Sequence, residues 1–303
     1  MKTALANSID RSLDWIYANL GFFSLPDYNP EEEQFMDMSR KRFAELALSL
    51  SFISESKYWP DDHRVKEIAV FVNETAVAST RHFDLSRNTN LVPYYLVIAN
   101  GLACVGKKVP GLSYRLQQIA DTGFIFQVER CAWNNIDLRY NMDQAGIVHT
   151  MPAYDELYGA SCLFNFPGLA YIRENDCYAI THLLFYLSDF GKVDMAGVLK
   201  DKYERIRCNT GILLGYFTYK QEWDLVAELL MSCSMLNYKD HPLYNVCWEK
   251  LLASQSPEGD FTSPFIQDRL GIDRITTAEE RFNTNYHTTL VSMFAAISAL
   301  NKQ

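Results

Sequence analysis

The chain has 303 residues, a hydrophobic fraction of 48% and a formal net charge of −9. This composition supports a large buried core and excludes disorder as the main state. No basic cluster offers a surface for phosphates, so neither nucleic acid nor an anionic membrane is an expected partner. The first residues lack the apolar core of a signal peptide, and no stretch approaches the roughly 18 apolar residues of a membrane span. We therefore expect a cytoplasmic protein.

Helical periodicity is the main signal along the whole chain. Ser8 is the predicted cap of the first helix, Pro30 opens the second, and Asp61 with Asp62 forms an acidic cap before the third. The predicted helices cover residues 8–21, 30–54, 61–77, 91–106, 111–123, 128–146, 177–191, 196–220, 222–236, 241–256 and 285–300. No linker rich in Pro, Gly or Ser divides them, which favours one all-α domain spanning 1–303.

Successive helices joined by short turns form antiparallel hairpins, and about six hairpins can stack into a solenoid or close into a ring. The segment LLASQSPEGDF, in which Gln255 precedes Gly259 and Phe261, resembles the turn of α/α-toroid enzymes such as terpenoid cyclases and protein prenyltransferase β-subunits. We predict a closed or nearly closed α/α toroid. An ordinary Pro-Gly turn is the alternative. The D-D-x-x-D motif of ionisation-dependent terpene cyclases is missing.

The helix predicted at 177–191 carries an unusual polar face. At 3.6 residues per turn, Tyr178, His182, Tyr186 and Asp189 fall opposite the leucines. Aromatic rings, an imidazole and one carboxylate replace the Lys, Glu and Gln of a solvated face. This composition favours a face that lines the interior of a ring.

Two more histidines lie in mixed apolar and hydroxyl-rich settings. His287 is predicted near the start of the last helix, capped by Thr284 or Asn285, where the helix dipole favours neutral imidazole. His149 precedes a short predicted helix opened by Pro152. With His182, these residues could hold zinc or iron, with Asp189 as a further ligand, or act as acid and base without metal.

The alternative is that each histidine is a hydrogen-bonded core residue. His63, His82 and His241 lie among charges or turn residues and are predicted at the surface.

Other candidates have plain structural alternatives. Arg281 could clamp a carboxylate of a ligand or form a surface ion pair. Asp224 and Glu228 are predicted on a solvated helix face beside a core Trp223. The seven cysteines are scattered singly without a C-x-x-C motif, which predicts reduced, mostly buried thiols rather than disulfides or a zinc ribbon.

Four stretches together resemble a bacterial α/α-barrel family of unknown function. DCYAITHLLFYLSDFG, EWDLVAELLMSCSML, WEKLLASQSPEGDF and NYHTTLVSMFAA are similar, in that order, to the family patterns aYalTHtvFylTDfG, WDLvgELL, Q-x-P-D-G and YHxTLV. The resemblance covers roughly residues 125–300. It carries over Tyr178, Thr181, His182, Asp189, Asp224, Glu228, Tyr286, His287 and Thr289. The chain departs from the pattern at Glu258 and at Thr288.

The resemblance implies a role in natural-product biosynthesis, because members of the family are encoded near such genes. We predict a tailoring or maturation enzyme that acts on a small or peptide-derived substrate by lyase, cyclase or metal-dependent hydrolase chemistry. The predicted catalytic residues are His182, His287, Asp189 and Tyr178, and the predicted substrate contacts are Tyr186, Tyr286, Thr289 and Arg281. The predicted metal ligands are His149, His182 and His287. The alternative is a non-catalytic helical module that binds a peptide or a partner enzyme of the same pathway.

Overall fold

The computed structural model describes residues 1–25, 33–78, 85, 89–264, 267, 271 and 275–301. Within these ranges the chain is helical and contains no β-strand, so the all-α prediction is confirmed. An isolated bridge joins Gln255 to Phe261. No helix in these ranges combines the length and the apolar character needed to cross a membrane. The predicted helix start at Pro30 and the surface residue His82 lie outside the described residues.

The helices vary from one turn to almost seven turns. In chain order they are α1 (Lys2–Ala18), α2 (Glu33–Ser54), α3 (His63–Ala78), α4 (Val92–Cys104), α5 (Leu112–Asp121), α6 (Ala132–Gln144), α7 (Tyr154–Gly159), α8 (Glu174–Leu187), α9 (Met195–Leu199), α10 (Tyr203–Lys220), α11 (Trp223–Met235), α12 (Tyr244–Ala253) and α13 (Ala278–Asn301). Single 3₁₀ turns lie at Leu20–Phe23, Thr89–Leu91, Phe124–Phe126, Leu169–Tyr171 and Lys200–Lys202.

Helix starts were predicted less well than the helices themselves. The predicted cap at Asp62 is confirmed, because its carboxylate accepts the backbone N–H of Arg64 at 2.9 Å. Ser8 is no cap, since α1 already begins at Lys2 and Ser8 is a buried residue inside it. The predicted helix at 196–220 is divided into α9 and α10 by a 3₁₀ turn.

The described chain forms two compact units. The first unit comprises residues 1–12, 130–137 and 152–303, and the second comprises residues 13–129 and 138–151. The single domain over 1–303 and the closed toroid stay predictions.

In the first unit, α11 is the central helix. Every residue from Trp223 to Met235 is buried, and α8, α10, α12 and α13 pack against it. A helix enclosed on all sides can be apolar all round, and Leu, Val, Ala and Met supply most of its surface. The core position predicted for Trp223 is confirmed.

In the second unit, α2 and α4 form the most extensive helix pair. Gly101 makes this close approach possible, because a Cβ there would lie 2.0 Å from the carbonyl oxygen of Ala47. Only a residue without a side chain fits at that crossing.

The turn at 255–261 joins the C-terminal part of the first unit to α1. The side-chain amide of Gln255 donates to the backbone oxygen of Ser8 at 3.0 Å, to the Ser12 hydroxyl at 3.1 Å and to the oxygen of Gly259 at 2.9 Å. Gly259 has φ +107°, and a Cβ there would lie 2.1 Å from the backbone oxygen of Arg11. The turn that suggested a toroid therefore anchors the first helix.

We expect Gly259→Ala to lower the free energy of unfolding by about 3 kcal/mol or more, because it adds a backbone clash to a strained φ. Urea denaturation followed by circular dichroism measures the change.

The matched control is Gly146→Ala. Gly146 also has a positive φ, of 66°, but open space surrounds its Cβ position. Strain alone should cost about 1 kcal/mol there. Equal losses in the two variants would contradict the contact with α1.

Candidate functional site

Helices α8 and α11 meet through two buried carboxylates. Tyr178 donates its hydroxyl proton to Oδ2 of Asp224, and Thr181 donates to Oε2 of Glu228. The other oxygen of Glu228, Oε1, lies 3.5 Å from Nε2 of His182. Glu228 is 2% exposed, and Asp224 is buried as well. We call these five residues the carboxylate cluster.

His182 is the member of the carboxylate cluster that combines a titratable ring with access to solvent. Its side chain is 29% exposed. The Trp133 ring lies perpendicular to the imidazole at a centroid distance of 5.2 Å, and the Tyr186 ring lies nearly perpendicular to it at 6.2 Å. Tyr178, His182 and Tyr186 are all half-buried while the leucines of α8 are buried, so the two faces predicted for this helix are confirmed for these residues.

The charges around His182 favour its protonated form. Burial lowers the pKa of the imidazole, but the carboxylates of Glu228 and Asp137 outweigh this effect and raise the pKa above its ordinary value of 6.5. His287 acts in the opposite direction, because a second positive charge nearby disfavours protonation. The two histidines predicted to share a site therefore influence each other's charge.

Two neighbouring groups are held in their neutral forms. Burial and the adjacent Asp224 raise the pKa of the Tyr178 phenol, so it stays a donor and does not act as a base. Burial raises the pKa of the Cys177 thiol well above its ordinary value. The predicted burial of the cysteines is thus confirmed for Cys177, whereas Cys104, Cys131 and Cys208 are exposed.

The prediction that His287 lies near a helix start is wrong. Helix α13 begins at Ala278, which places His287 in its third turn. Thr284 and Asn285 are interior residues rather than caps: Thr284 donates to the Glu280 carbonyl, and Asn285 donates to Asp260. The helix dipole consequently has little effect on His287, since its influence fades within the first turn.

Asp189 does not belong to the His182 face. Helix α8 ends at Leu187, and Asp189 follows in a turn with φ +46°. Its carboxylate lies 3.9 Å from the ammonium of Lys192. Because the helix ends and the backbone turns before Asp189, this residue does not continue the helical face that carries His182.

His149 belongs to the second unit, and both of its ring nitrogens have partners. Nε2 lies 2.9 Å from Oδ1 of Asp143, and Nδ1 accepts the backbone N–H of Met151 at 3.3 Å. In the ranges that the structure describes, no group of three or more His, Cys, Asp or Glu residues could hold a metal ion. His149 lies in a different unit from His182 and His287, so the zinc or iron site predicted for the three histidines stays a prediction.

Three predicted substrate contacts are engaged within the chain. Arg281 pairs with Asp260 at 2.7 Å and with Glu258 at 2.9 Å, as the ion-pair alternative predicts. Thr289 is fully buried and accepts the backbone N–H of Phe261. Tyr286 is buried and its ring stacks on the ring of Phe282. These residues hold the turn at 255–261 and the packing of α13, which leaves Tyr186 as the predicted contact that lies beside His182.

Pattern reasoning placed Asp224 and Glu228 on a solvated face, and this prediction was wrong. The available signal was the lack of any lysine or arginine in α11, whose other residues are apolar or small. Trp133 was also missed, because it comes from α6, which is distant in sequence from α8.

The comparisons place the chain in a family. A family model described as "Domain of unknown function (DUF6895)" matches residues 9–297. The chain belongs to this family. The match includes all residues of the carboxylate cluster and extends well beyond the segment 125–300 that carries the resemblance. Neither the comparison with curated proteins nor that with solved structures finds a match.

We expect Glu228→Gln to bring the pKa of His182 below its ordinary value, because burial then outweighs the remaining attraction. Nuclear magnetic resonance titration of the imidazole Cε1–H signals, assigned with His182→Gln, measures the pKa directly. In the wild type the raised pKa also predicts a stabilising contribution below pH 6.5 that is lost as the pH rises through the folded-state value.

Glu249→Gln is the control for this titration, since Glu249 is an exposed glutamate on α12. It should leave the His182 curve unchanged. An unchanged curve in Glu228→Gln would show that Glu228 does not set the charge of His182.

We expect Tyr178→Phe to lower the free energy of unfolding by about 1–3 kcal/mol, because a buried carboxylate oxygen loses its donor. Tyr171→Phe should change it by less than about 0.5 kcal/mol, since Tyr171 is exposed. Chemical denaturation of both variants measures the difference. A loss in Tyr178→Phe no larger than that of the control would contradict the bond to Asp224.

Proposed function

We propose that the chain is an enzyme that uses His182 as a proton donor and acceptor, with Glu228 as the group that orients and charges it. The substrate is a small or peptide-derived molecule. The reaction belongs to the proton-transfer classes: elimination, cyclisation or hydrolysis. The family resemblance supports a tailoring or maturation step in natural-product biosynthesis.

One observation carries the proposal. A buried carboxylate lies beside one nitrogen of a half-exposed imidazole, and the second carboxylate oxygen is held by the Thr181 hydroxyl. A base or acid oriented by a third group in this way is the recurring arrangement of catalytic histidines. A histidine that served only packing would need neither the carboxylate nor its access to solvent.

The geometry suggests a role for each nitrogen. Nε2 faces Glu228, which holds a proton there and stabilises the imidazolium. Nδ1 is then the atom that exchanges a proton with the substrate. Because the pKa of His182 is raised, its protonated form is favoured relative to that of an ordinary histidine, and this form can protonate a leaving group or a carbonyl oxygen.

His287 complements this acid. The charge of His287 lowers the pKa of His182, so the two imidazoles interact electrostatically. Two interacting imidazoles can provide an acid and a base for the same reaction. Tyr186 and Trp133, whose rings meet His182, provide aromatic surfaces against which a substrate can pack.

The test uses untargeted mass spectrometry. The protein is incubated with a small-molecule extract of bacteria that encode it, with and without the partner proteins of the same gene neighbourhood. We expect the wild type to convert a compound that His182→Gln and His287→Gln convert at least about 100-fold more slowly.

His63→Gln is the matched control, because His63 is an exposed histidine of the second unit. It should keep full activity. Melting temperatures of all variants within a few degrees of the wild type would separate lost chemistry from lost folding. Conversion at the wild-type rate by His182→Gln would refute the proposed role.

A further inference from the structure

Three buried polar side chains lie on one face of helix α13. Asn285, Thr288 and Ser292 follow one another at spacings of three and four residues, so they occupy successive turns of the same face. Asn285 and Thr288 are fully buried, and Ser292 is 2% exposed. Within the part of the chain that the structure describes, Oδ1 of Asn285, Oγ1 of Thr288 and Oγ of Ser292 have no hydrogen-bond partner. We call these three residues the α13 polar strip.

Other hydroxyls on the same helix are satisfied by its backbone. Thr284 donates to the carbonyl oxygen of Glu280 at 2.8 Å, and Thr289 donates to that of Asn285 at 2.7 Å. Both bonds run back four residues, which is the usual way in which a helix accommodates a hydroxyl away from water. Among the described residues of α13, Thr288 and Ser292 make no such bond. The helix itself therefore does not satisfy these two hydroxyls.

The orientation of the Asn285 amide follows from its acceptors. Nδ2 donates to Oδ2 of Asp260 at 2.6 Å and to the Thr262 hydroxyl at 3.1 Å. The amide nitrogen faces Asp260 because a carboxylate accepts hydrogen bonds from the amide N–H groups, and Oδ1 faces away. Asp260 is itself fully buried. The α13 polar strip therefore continues a buried network of hydrogen bonds that starts at the turn at 255–261.

Water is the ligand whose size and hydrogen bonding fit the α13 polar strip. An unpartnered buried polar group destabilises the folded state, and nearly all such groups in folded proteins bond to protein or to ordered water. Side chains on successive turns of one helix face lie about 5–6 Å apart. One water that makes two hydrogen bonds of about 2.8 Å spans the same distance. Hydroxyls can donate to a water or accept from it, and an amide oxygen can accept from it.

We infer that the α13 polar strip binds ordered water molecules inside the first unit, one bridging Asn285 to Thr288 and one bridging Thr288 to Ser292. These water molecules extend the hydrogen bonds of Asp260 about two helical turns into the core. They satisfy donors and acceptors that the described protein groups leave without a partner. The site does not depend on whether the chain is an enzyme.

The first experiment locates the water directly. A high-resolution crystal structure of the full chain should show a water molecule within about 2.6–3.2 Å of both Oγ1 of Thr288 and Oγ of Ser292. The structure of Thr288→Val should lack this water, because valine offers it no hydrogen bond. A wild-type structure without water density at the α13 polar strip overturns the inference.

The second experiment uses the sign of a stability change, measured by urea denaturation. Thr288→Val keeps the shape of the side chain and removes the hydroxyl. With water bound, this variant leaves the water without a partner, and the equilibrium constant of unfolding should rise about fivefold. A dry site predicts the opposite, because valine then replaces an unsatisfied polar group and stabilises the protein. Stability of Thr288→Val equal to or above that of the wild type overturns the inference.

Thr3→Val is the matched control, because Thr3 is an exposed threonine of helix α1. It should change the unfolding constant by no more than about twofold.

A double-mutant cycle tests the bridging water. Thr288→Val and Ser292→Ala remove partners of the same water, so the second substitution should have less effect once the first has released it. The double variant should raise the unfolding constant about threefold less than the product of the two single changes. Changes that simply multiply overturn the shared water between these two hydroxyls.

Discussion

The first unit depends on the burial of two carboxylates in the middle of its central helix. Removing a carboxylate from water costs several kcal/mol unless donors replace the lost hydration. Helix α8 supplies these donors from one face, Tyr178 for Asp224 and Thr181 with His182 for Glu228. A shift of α8 by one residue along α11 would remove all three contacts together. The polar contacts therefore set the register between α8 and α11, because the packing of leucines alone would permit several registers.

The same contacts produce the chemical property of the site. Glu228 accepts a hydrogen bond that joins α11 to α8, and its negative charge also raises the pKa of His182. Structural and catalytic roles are usually separated by exposure, since a group that serves only the core has no reason to reach solvent. Glu228 is enclosed while His182 remains accessible, and this division resembles that of an orienting carboxylate and a working imidazole.

Local patterns predicted the helices and the half-buried face of α8, because periodicity depends on neighbours a few residues apart. Local patterns failed where burial or a helix boundary depends on tertiary packing. Asp224 and Glu228 are buried because four helices surround α11, and the local sign of this burial is the lack of lysine and arginine in α11. His287 does not lie at the helix start because the helix begins earlier than predicted. The polar segment before His287, which is typical of a loop, is helical from Ala278. Asp189 was predicted on the face of α8 but lies beyond its end, in a turn with a positive φ that is rare for a residue other than glycine.

The anchoring of α1 has a consequence for the order of folding. Ser8 and Ser12 have hydrogen-bond partners at Gln255 and Gly259, almost 250 positions later. During synthesis on a ribosome, the part of α1 that belongs to the first unit, residues 1–12, must therefore wait for these partners until most of the chain has emerged. Contacts of such large sequence separation are slow to form. The start of α1 is thus exposed to premature association for most of translation. It is covered only when the first unit has assembled.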